Sequence, residues 1–288
     1  MNKKEFAEYI CKEVSKQDGI YAYISEVPKN NGVVFTGLTI KAEGSEFAPT
    51  IYLEGFYEAY CNGEDIDSVV ERIMELYEKR RNSINVDISF FRNYESAKEQ
   101  ILYRLINYEA NRELLKNIPH KRIFDLAKVY YVALKLDDMQ ATGTITITNS
   151  HIEGWKVTLD DLESVAAINT PKRLPKNIQP IEEITQIPFP EECTLKMYVA
   201  SNPLRMNGAA ILCYESLLGD IAERFRDDVI IIPSSIHELI FFTGYDDDAV
   251  EHVKAMVREV NRTEVEPEEV LSDNVYIYRH ETNKIEML

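Results

Sequence analysis

The chain has 288 residues, 45% of them hydrophobic and 28% charged, with 49 acidic against 32 basic side chains and a net charge of −17. A chain of this length can bury a core without disulfide or metal staples. The charge argues against a general nucleic-acid binder, whose phosphate affinity needs dense Lys and Arg, and against peripheral binding to an anionic membrane. Met1-Asn2-Lys3-Lys4-Glu5-Phe6 enters an amphipathic pattern at once and shows no apolar signal region. The longest apolar stretches, near 229–232 and 236–242, are far too short to span a bilayer. Cys11, Cys61, Cys193 and Cys213 form no CxxC pair, and their mostly apolar contexts read as buried, reduced thiols. A cytoplasmic protein is the expectation.

In chain order, Phe6, Ile10 and Val14 predict a helix over 3–15. Strands follow at 20–27 and 33–41, joined by the turn chemistry of Asn30-Asn31-Gly32. A third strand at 50–53 leads to a short helix that ends at Asn62-Gly63. Asp65 or Asp67 caps a longer helix striped by Ile66, Val69, Val70, Ile73, Met74 and Tyr77. Helices are also expected over 95–106 and 109–117, then strands over 123–136 and 142–148. Thr158 caps a helix to about 168.

Five of the eleven prolines fall at 171, 175, 180, 188 and 190. Residues 171–190 therefore read as an extended linker between an N-terminal domain, 1–170, and a C-terminal domain, 191–288. In the latter, strands are expected at 195–200, 209–212, 229–232 and 237–242, with Pro233-Ser234-Ser235 as a break. Helices fall at 217–225 and after Asp246-Asp247-Asp248, and a hairpin turns at Thr282-Asn283. The fold class is α+β, with mixed or antiparallel sheets and helices packed on one face, in two parts joined by the Pro-rich linker.

Phosphate-binding glycine motifs, HExxH, EF-hand and zinc-ribbon spacings are absent from the sequence, so no cofactor or metal is expected. The most reactive-looking segment is Pro233-Ser234-Ser235-Ile236-His237-Glu238. Ser234 or Ser235 beside His237 suits a nucleophile and its base. The default reading is that Pro-Ser-Ser is a turn whose hydroxyls bond backbone. In an extended segment Glu238 points away from His237 and cannot orient it. Asp248 and His252 at i, i+4 have a metal-holding spacing, as do Glu95 with Glu99 and Glu109 with Glu113, although exposed helical faces explain all three. His120, His151 and His280 read as satisfied polar groups beside turns. Arg112, Lys116, Lys121, Arg122, Lys128 and Lys135, interleaved with Phe124, Tyr130 and Tyr131, have the composition of a single-strand nucleic-acid surface, against a repulsive global field. Seventeen tyrosines suit either packing or a protein interface.

Six segments, taken in order, resemble an uncharacterised family of intracellular proteins from anaerobic, gut-associated Gram-positive bacteria, known only by a domain-of-unknown-function label. They are Pro49-Thr50-Ile51-Tyr52-Leu53, Leu105-Ile106-Asn107-Tyr108-Glu109-Ala110-Asn111, Ile118-Pro119-His120, Asn149-Ser150-His151, Pro233 to Glu238, and Glu268-Glu269-Val270-Leu271-Ser272-Asp273. The resemblance implies a bacterial cytoplasmic setting and no particular activity. The leading expectation is a non-catalytic, acidic protein that works through protein–protein contact. The alternatives are a hydrolase using Ser234 or Ser235 with His237, and an acidic nucleic-acid mimic, since residues 191–288 carry 20 acids against 9 Lys plus Arg.

Overall fold

The computed structural model describes residues 1–45, 48–83, 89–134, 143–187, 195–215, 217–244 and 247–288. The chain forms two compact units, Met1–Asp87 and Ile88–Leu288.

In the first unit, Asn2 caps α1 (Lys3–Val14) through a reciprocal capping box with Glu5. Strands β1 (Ile20–Pro28) and β2 (Val34–Ala42) pair antiparallel, and β3 (Thr50–Tyr52) adds to β2. The turn between β1 and β2 is a short 3-10 segment, Asn30–Gly32, in which Asn31 and Gly32 take left-handed φ of 58° and 71°. Helices α2 (Glu54–Cys61) and α3 (Ile66–Ser83) follow, and the Asp65 carboxylate accepts the amides of Asp67 and Ser68 at the start of α3. Phe6, Ile10, Val14, Val69, Ile73 and Tyr77 meet Leu38, Ile40 and Ile51 in one core. Strand alternation therefore sends Tyr21 and Tyr23 to the opposite, open face, where they are 63% and 56% exposed.

The second unit contains two antiparallel sheets. Helix α4 (Tyr94–Ala97) is brief, and β4 (Ile101–Asn107) stands where a helix was expected. The run Ile-Leu-Tyr-Arg-Leu-Ile is buried on both faces, a pattern for which helical and strand periods cannot be told apart. A short α5 (Arg112–Leu115) precedes β5 (His120–Ile123), and the hairpin at Phe124-Asp125 leads into β6 (Leu126–Leu134). Strand β6 pairs with β4, β5 and β7 (Gly143–Thr146). Helices α6 (Asn149–Trp155) and α7 (Leu159–Arg173) carry Thr caps at Thr148 and Thr158. Thr170 of α7 closes the outer edge of β4 by accepting the Tyr103 amide at 3.1 Å.

The expected linker at 171–190 is not one over its described part. Pro171 lies in the last turn of α7, and Pro175 directly follows the helix cap Leu174, where proline stops a helix. Residues Asn177–Pro180 form β8, and Ile181–Thr185 form α8. Strand β8 is the edge of a six-stranded sheet, a position that tolerates Pro180. Pro188, Pro190, Cys193 and Lys135 lie outside the described residues.

That sheet runs β13-β12-β10-β11-β9-β8, with β9 (Lys196–Ser201), β10 (Val229–Ser235), β11 (Glu238–Thr243), β12 (Tyr276–Arg279) and β13 (Lys284–Met287). Residues Gly208–Cys213 form a buried 3-10 turn in place of the strand expected at 209–212. Pro233 and the two serines sit inside β10, at a register shift, so the hairpin turns at Ile236-His237.

Helices do not keep to one face of this sheet. Helix α9 (Leu217–Phe225) packs with Val229, Ile231, Leu239 and Phe241, while Val257 of α10 (Asp247–Thr263) packs with Ile230, Ile232 and Phe242 on the other side. The unbroken Val-Ile-Ile-Ile of β10 is the signature of a strand covered on both sides. No helix among the described residues is long and apolar enough to cross a membrane.

The two sheets of this unit are joined by the Asp125 carboxylate. It accepts from Ser272 Oγ at 2.5 Å, Asn274 Nδ2 at 2.9 Å and Tyr276 Oη at 2.5 Å. Replacing Asp125 by Ala leaves three donors without their acceptor, and Asp125→Ala is expected to lower unfolding stability by about 3 kcal/mol. Urea denaturation of the variant beside the wild type checks this.

Candidate functional site

The Ser-Ser-Ile-His segment is held by a loop that the sequence did not single out. Asn202 shapes this loop: its Oδ1 accepts the Leu204 amide at 3.0 Å and its Nδ2 donates to the Met206 carbonyl at 2.9 Å. Arg205 and Asn207 take left-handed φ of 48° and 53°. Gly208 follows, and a Cβ there would lie 2.1 Å from Ser201 Oγ and 2.2 Å from the His237 carbonyl oxygen. Only glycine fits that approach.

His237 is engaged on both ring nitrogens. The Asn207 amide donates to Nδ1 at 3.2 Å, which fixes Nδ1 as an acceptor and leaves the neutral ring's proton on Nε2. Nε2 faces Glu269 Oε1 at 3.4 Å. Glu269 also accepts the Ile236 amide on its carbonyl at 2.9 Å. Ser201 Oγ donates to the His237 carbonyl at 2.7 Å.

The serines are occupied elsewhere. Ser235 Oγ accepts the His237 backbone amide at 3.0 Å, and Ser234 Oγ meets Glu238 Oε1 at 3.4 Å. The structure thus gathers Ser234, Ser235 and His237 in one hairpin, with the imidazole turned to Asn207 and Glu269 and the hydroxyls turned to other partners. Glu269 lies 32 positions from His237. The only sequence signal for it was that both lie in segments that carry the family resemblance.

A second cluster lies on the α7 face of β6. Lys128 is 8% exposed and donates to Glu163 Oε1 at 2.9 Å, and Tyr130 Oη donates to Glu163 Oε2 at 2.5 Å. The Lys128 ammonium also sits 4.6 Å from the Tyr103 ring centroid. Burial disfavours the Glu163 carboxylate, but Tyr130 and Lys128 together outweigh it and hold its pKa below the ordinary value. Burial raises the neighbouring Cys213 thiol to about 11, so it is a poor nucleophile.

The remaining candidates are tied down locally. His120 Nδ1 is 3.0 Å from the Ile118 carbonyl. His151 completes the Thr148 cap and stacks near Phe91 and Trp155, and its burial lowers its pKa. His280 Nε2 meets Glu223 at 3.1 Å. Glu95, Glu109 and Glu113 pair with Lys98, Arg112 and Lys116 three positions on. The Asp248 side chain lies outside the described residues. Among the described residues no three His, Cys, Asp or Glu side chains converge as a metal site.

The basic stretch dissolves into ion pairs. Lys121 pairs with Asp160, Arg122 with Glu109, and Lys128 with Glu163, while Tyr130 and Tyr131 are fully buried.

A family described as of unknown function (DUF5688) matches residues 3–280. No curated protein and no solved structure matches the chain.

Two outcomes follow from this geometry. Gly208→Ala forces the loop off His237 and is expected to cost about 2–4 kcal/mol in denaturation. Because the Glu163 pKa is lowered, its contribution is present above the ordinary carboxylate range and is lost as pH falls through the lowered value. Glu163→Gln is therefore expected to be about 1–2 kcal/mol less stable than wild type at pH 7. That gap narrows below about pH 4, as read by denaturation at several pH values.

Proposed function

We propose, for a chain that belongs to the DUF5688 family of unknown function, a non-catalytic role as an acidic protein-interaction protein of the bacterial cytoplasm. The partner is a polypeptide received along strand β1. The observation that carries this reading is the open face of the first sheet. Tyr21 and Tyr23 alternate on the edge strand β1 at 63% and 56% exposure, while α1 and α3 cover the other face. An edge strand offers unpaired amides and carbonyls to an incoming strand, and alternate side chains supply specificity. Tyrosine suits such a surface because it gives contact area at low entropic cost and keeps a polar tip. Phe35 and Tyr52 extend the aromatic surface, with the Lys29 ammonium 3.6 Å from the Tyr52 ring centroid. Cys61, expected to be buried, is an exposed free thiol, which suits a reducing compartment.

The hydrolase reading draws less support, because both His237 nitrogens and Ser235 Oγ hold the loop and the turn. A nucleic-acid mimic draws less still. Acids of the last hundred residues alternate with cations, as in Asp228 and Glu286 on Arg279, Glu251 on Lys254 and Glu259 on Arg262.

The test is a photo-crosslinking amino acid placed at position 21 or 23, with position 168 as the control, since Ile168 is 69% exposed on α7. A discrete adduct with one polypeptide from 21 and 23, absent from 168, is the expected result. Tyr21→Ser with Tyr23→Ser should weaken binding of that polypeptide at least tenfold while changing stability by no more than about 0.5 kcal/mol. Adducts of equal yield at all three positions, or none, would remove this surface as the docking site. A second copy of this chain as the adduct would recast it as self-association.

A further inference from the structure

The face of the four-stranded sheet opposite α7 is largely apolar, with Arg104 set inside it and Arg122 on its β5 edge. Leu102, Tyr131, Ala133 and Leu174 form one cluster, and Ile106, Leu115, Ile118, Ala127 and Val129 form another. Arg104 stands between them on the same face of β4, since it pairs in register with Val129. Its charged end is packed deep among protein atoms, while the residue keeps some surface. The guanidinium makes one hydrogen bond, from Nη2 to Thr146 Oγ1 at 3.3 Å, and lies 5.7 Å from the Tyr131 ring centroid. Arg104 Nε is buried without an acceptor, and the Tyr131 hydroxyl is buried without one for its proton, while the Asn207 side-chain amide acts on its oxygen.

Arg104 meets no carboxylate among the described residues. Nor does Arg173, which acts on Tyr131 from the α7 side and donates to the Glu99 carbonyl at 3.3 Å. A buried arginine without a carboxylate stands out in a chain of net charge −17. A buried cation normally finds a counterion, because its desolvation is otherwise uncompensated. Burial also raises the Tyr131 phenol above its ordinary value, so it stays protonated and donates. The unmet groups, Arg104 Nε on β4 and the Tyr131 hydroxyl on β6, are both donors.

We infer that Arg104 and Tyr131 form a receptor for the oxyanion of a small ligand, a carboxylate or a phosphate group. Arg104 supplies the charge and the free Nε–H, Tyr131 supplies a neutral hydroxyl, and Arg173 adds field. The site lies in the second unit and shares no residue with the β1 surface, so either can fail alone. It adjoins the His237 clamp through Asn207, whose amide meets His237 and whose side chain approaches Tyr131.

The test is calorimetric titration of the full chain with sodium phosphate and, separately, with sodium succinate, against sodium chloride at matched ionic strength. Saturable binding of phosphate, of succinate or of both is the expected result, and which one saturates separates the two sources of the oxyanion. Arg104→Met should weaken that binding at least tenfold, and Tyr131→Phe, which removes one oxygen, by about tenfold. If Arg104→Met fails to fold, the Tyr131→Phe comparison decides. Binding unchanged in the variant that folds, or no saturation beyond the chloride control in wild type, overturns the proposal.

Discussion

The carboxylate of Asp125 is the constraint on which the second unit turns. It sits at the tip of the β5–β6 hairpin, yet its three donors, Ser272 and Asn274 on the approach to β12 and Tyr276 at its start, belong to the other sheet. Two apolar sheet faces can slide on one another at little cost, because hydrophobic contact is non-directional. Three directional bonds to one carboxylate fix their register. Asn107 and Asn261 pin the same segment, donating to the Leu271 and Ser272 carbonyls. The segment then continues the control backwards, since Glu269 holds both the Ile236 amide and the His237 ring. One stretch of chain thus couples the sheet junction to the turn that carries the serines.

This coupling gives the His237 hairpin its character. The Asn207 amide donates to Nδ1 and Nε2 faces Glu269, so the ring lies between the 202–207 loop and Glu269. The same loop approaches Tyr131 through Asn207. Its two left-handed residues, Arg205 and Asn207, hold conformations that side-chain residues adopt only when the surroundings impose them.

Much of the first unit was legible because each element carries one clean period. Phe6, Ile10 and Val14, then Val69, Ile73 and Tyr77, repeat at helical spacing, and Asn-Gly marks the β1–β2 turn. The second unit was harder for physical reasons. Strand β4 is buried on both faces, so its sequence does not alternate. Prolines 171, 175 and 180 sit at a helix end, after a cap and on an edge strand, three places where proline is welcome inside a domain. The serine and histidine segment was visible, but its partners Asn207 and Glu269 act across 30 and 32 positions, where a sequence shows no pairing. Asp125 falls inside the strand expected over 123–136 and Arg104 inside the helix expected over 95–106, so neither stands out. Their partners come from segments distant in sequence.

The span of the Asp125 bonds also sets the order in which the chain can mature during synthesis. Ser272, Asn274 and Tyr276 follow Asp125 by 147, 149 and 151 residues. At typical ribosome speeds those donors emerge roughly 7–30 s after the hairpin does. Until then the β4–β6 sheet carries a carboxylate without donors and an apolar face without its neighbour. The first unit, with all its pairings local, can close early on the ribosome. The second is exposed to chaperones and proteases for the length of that wait.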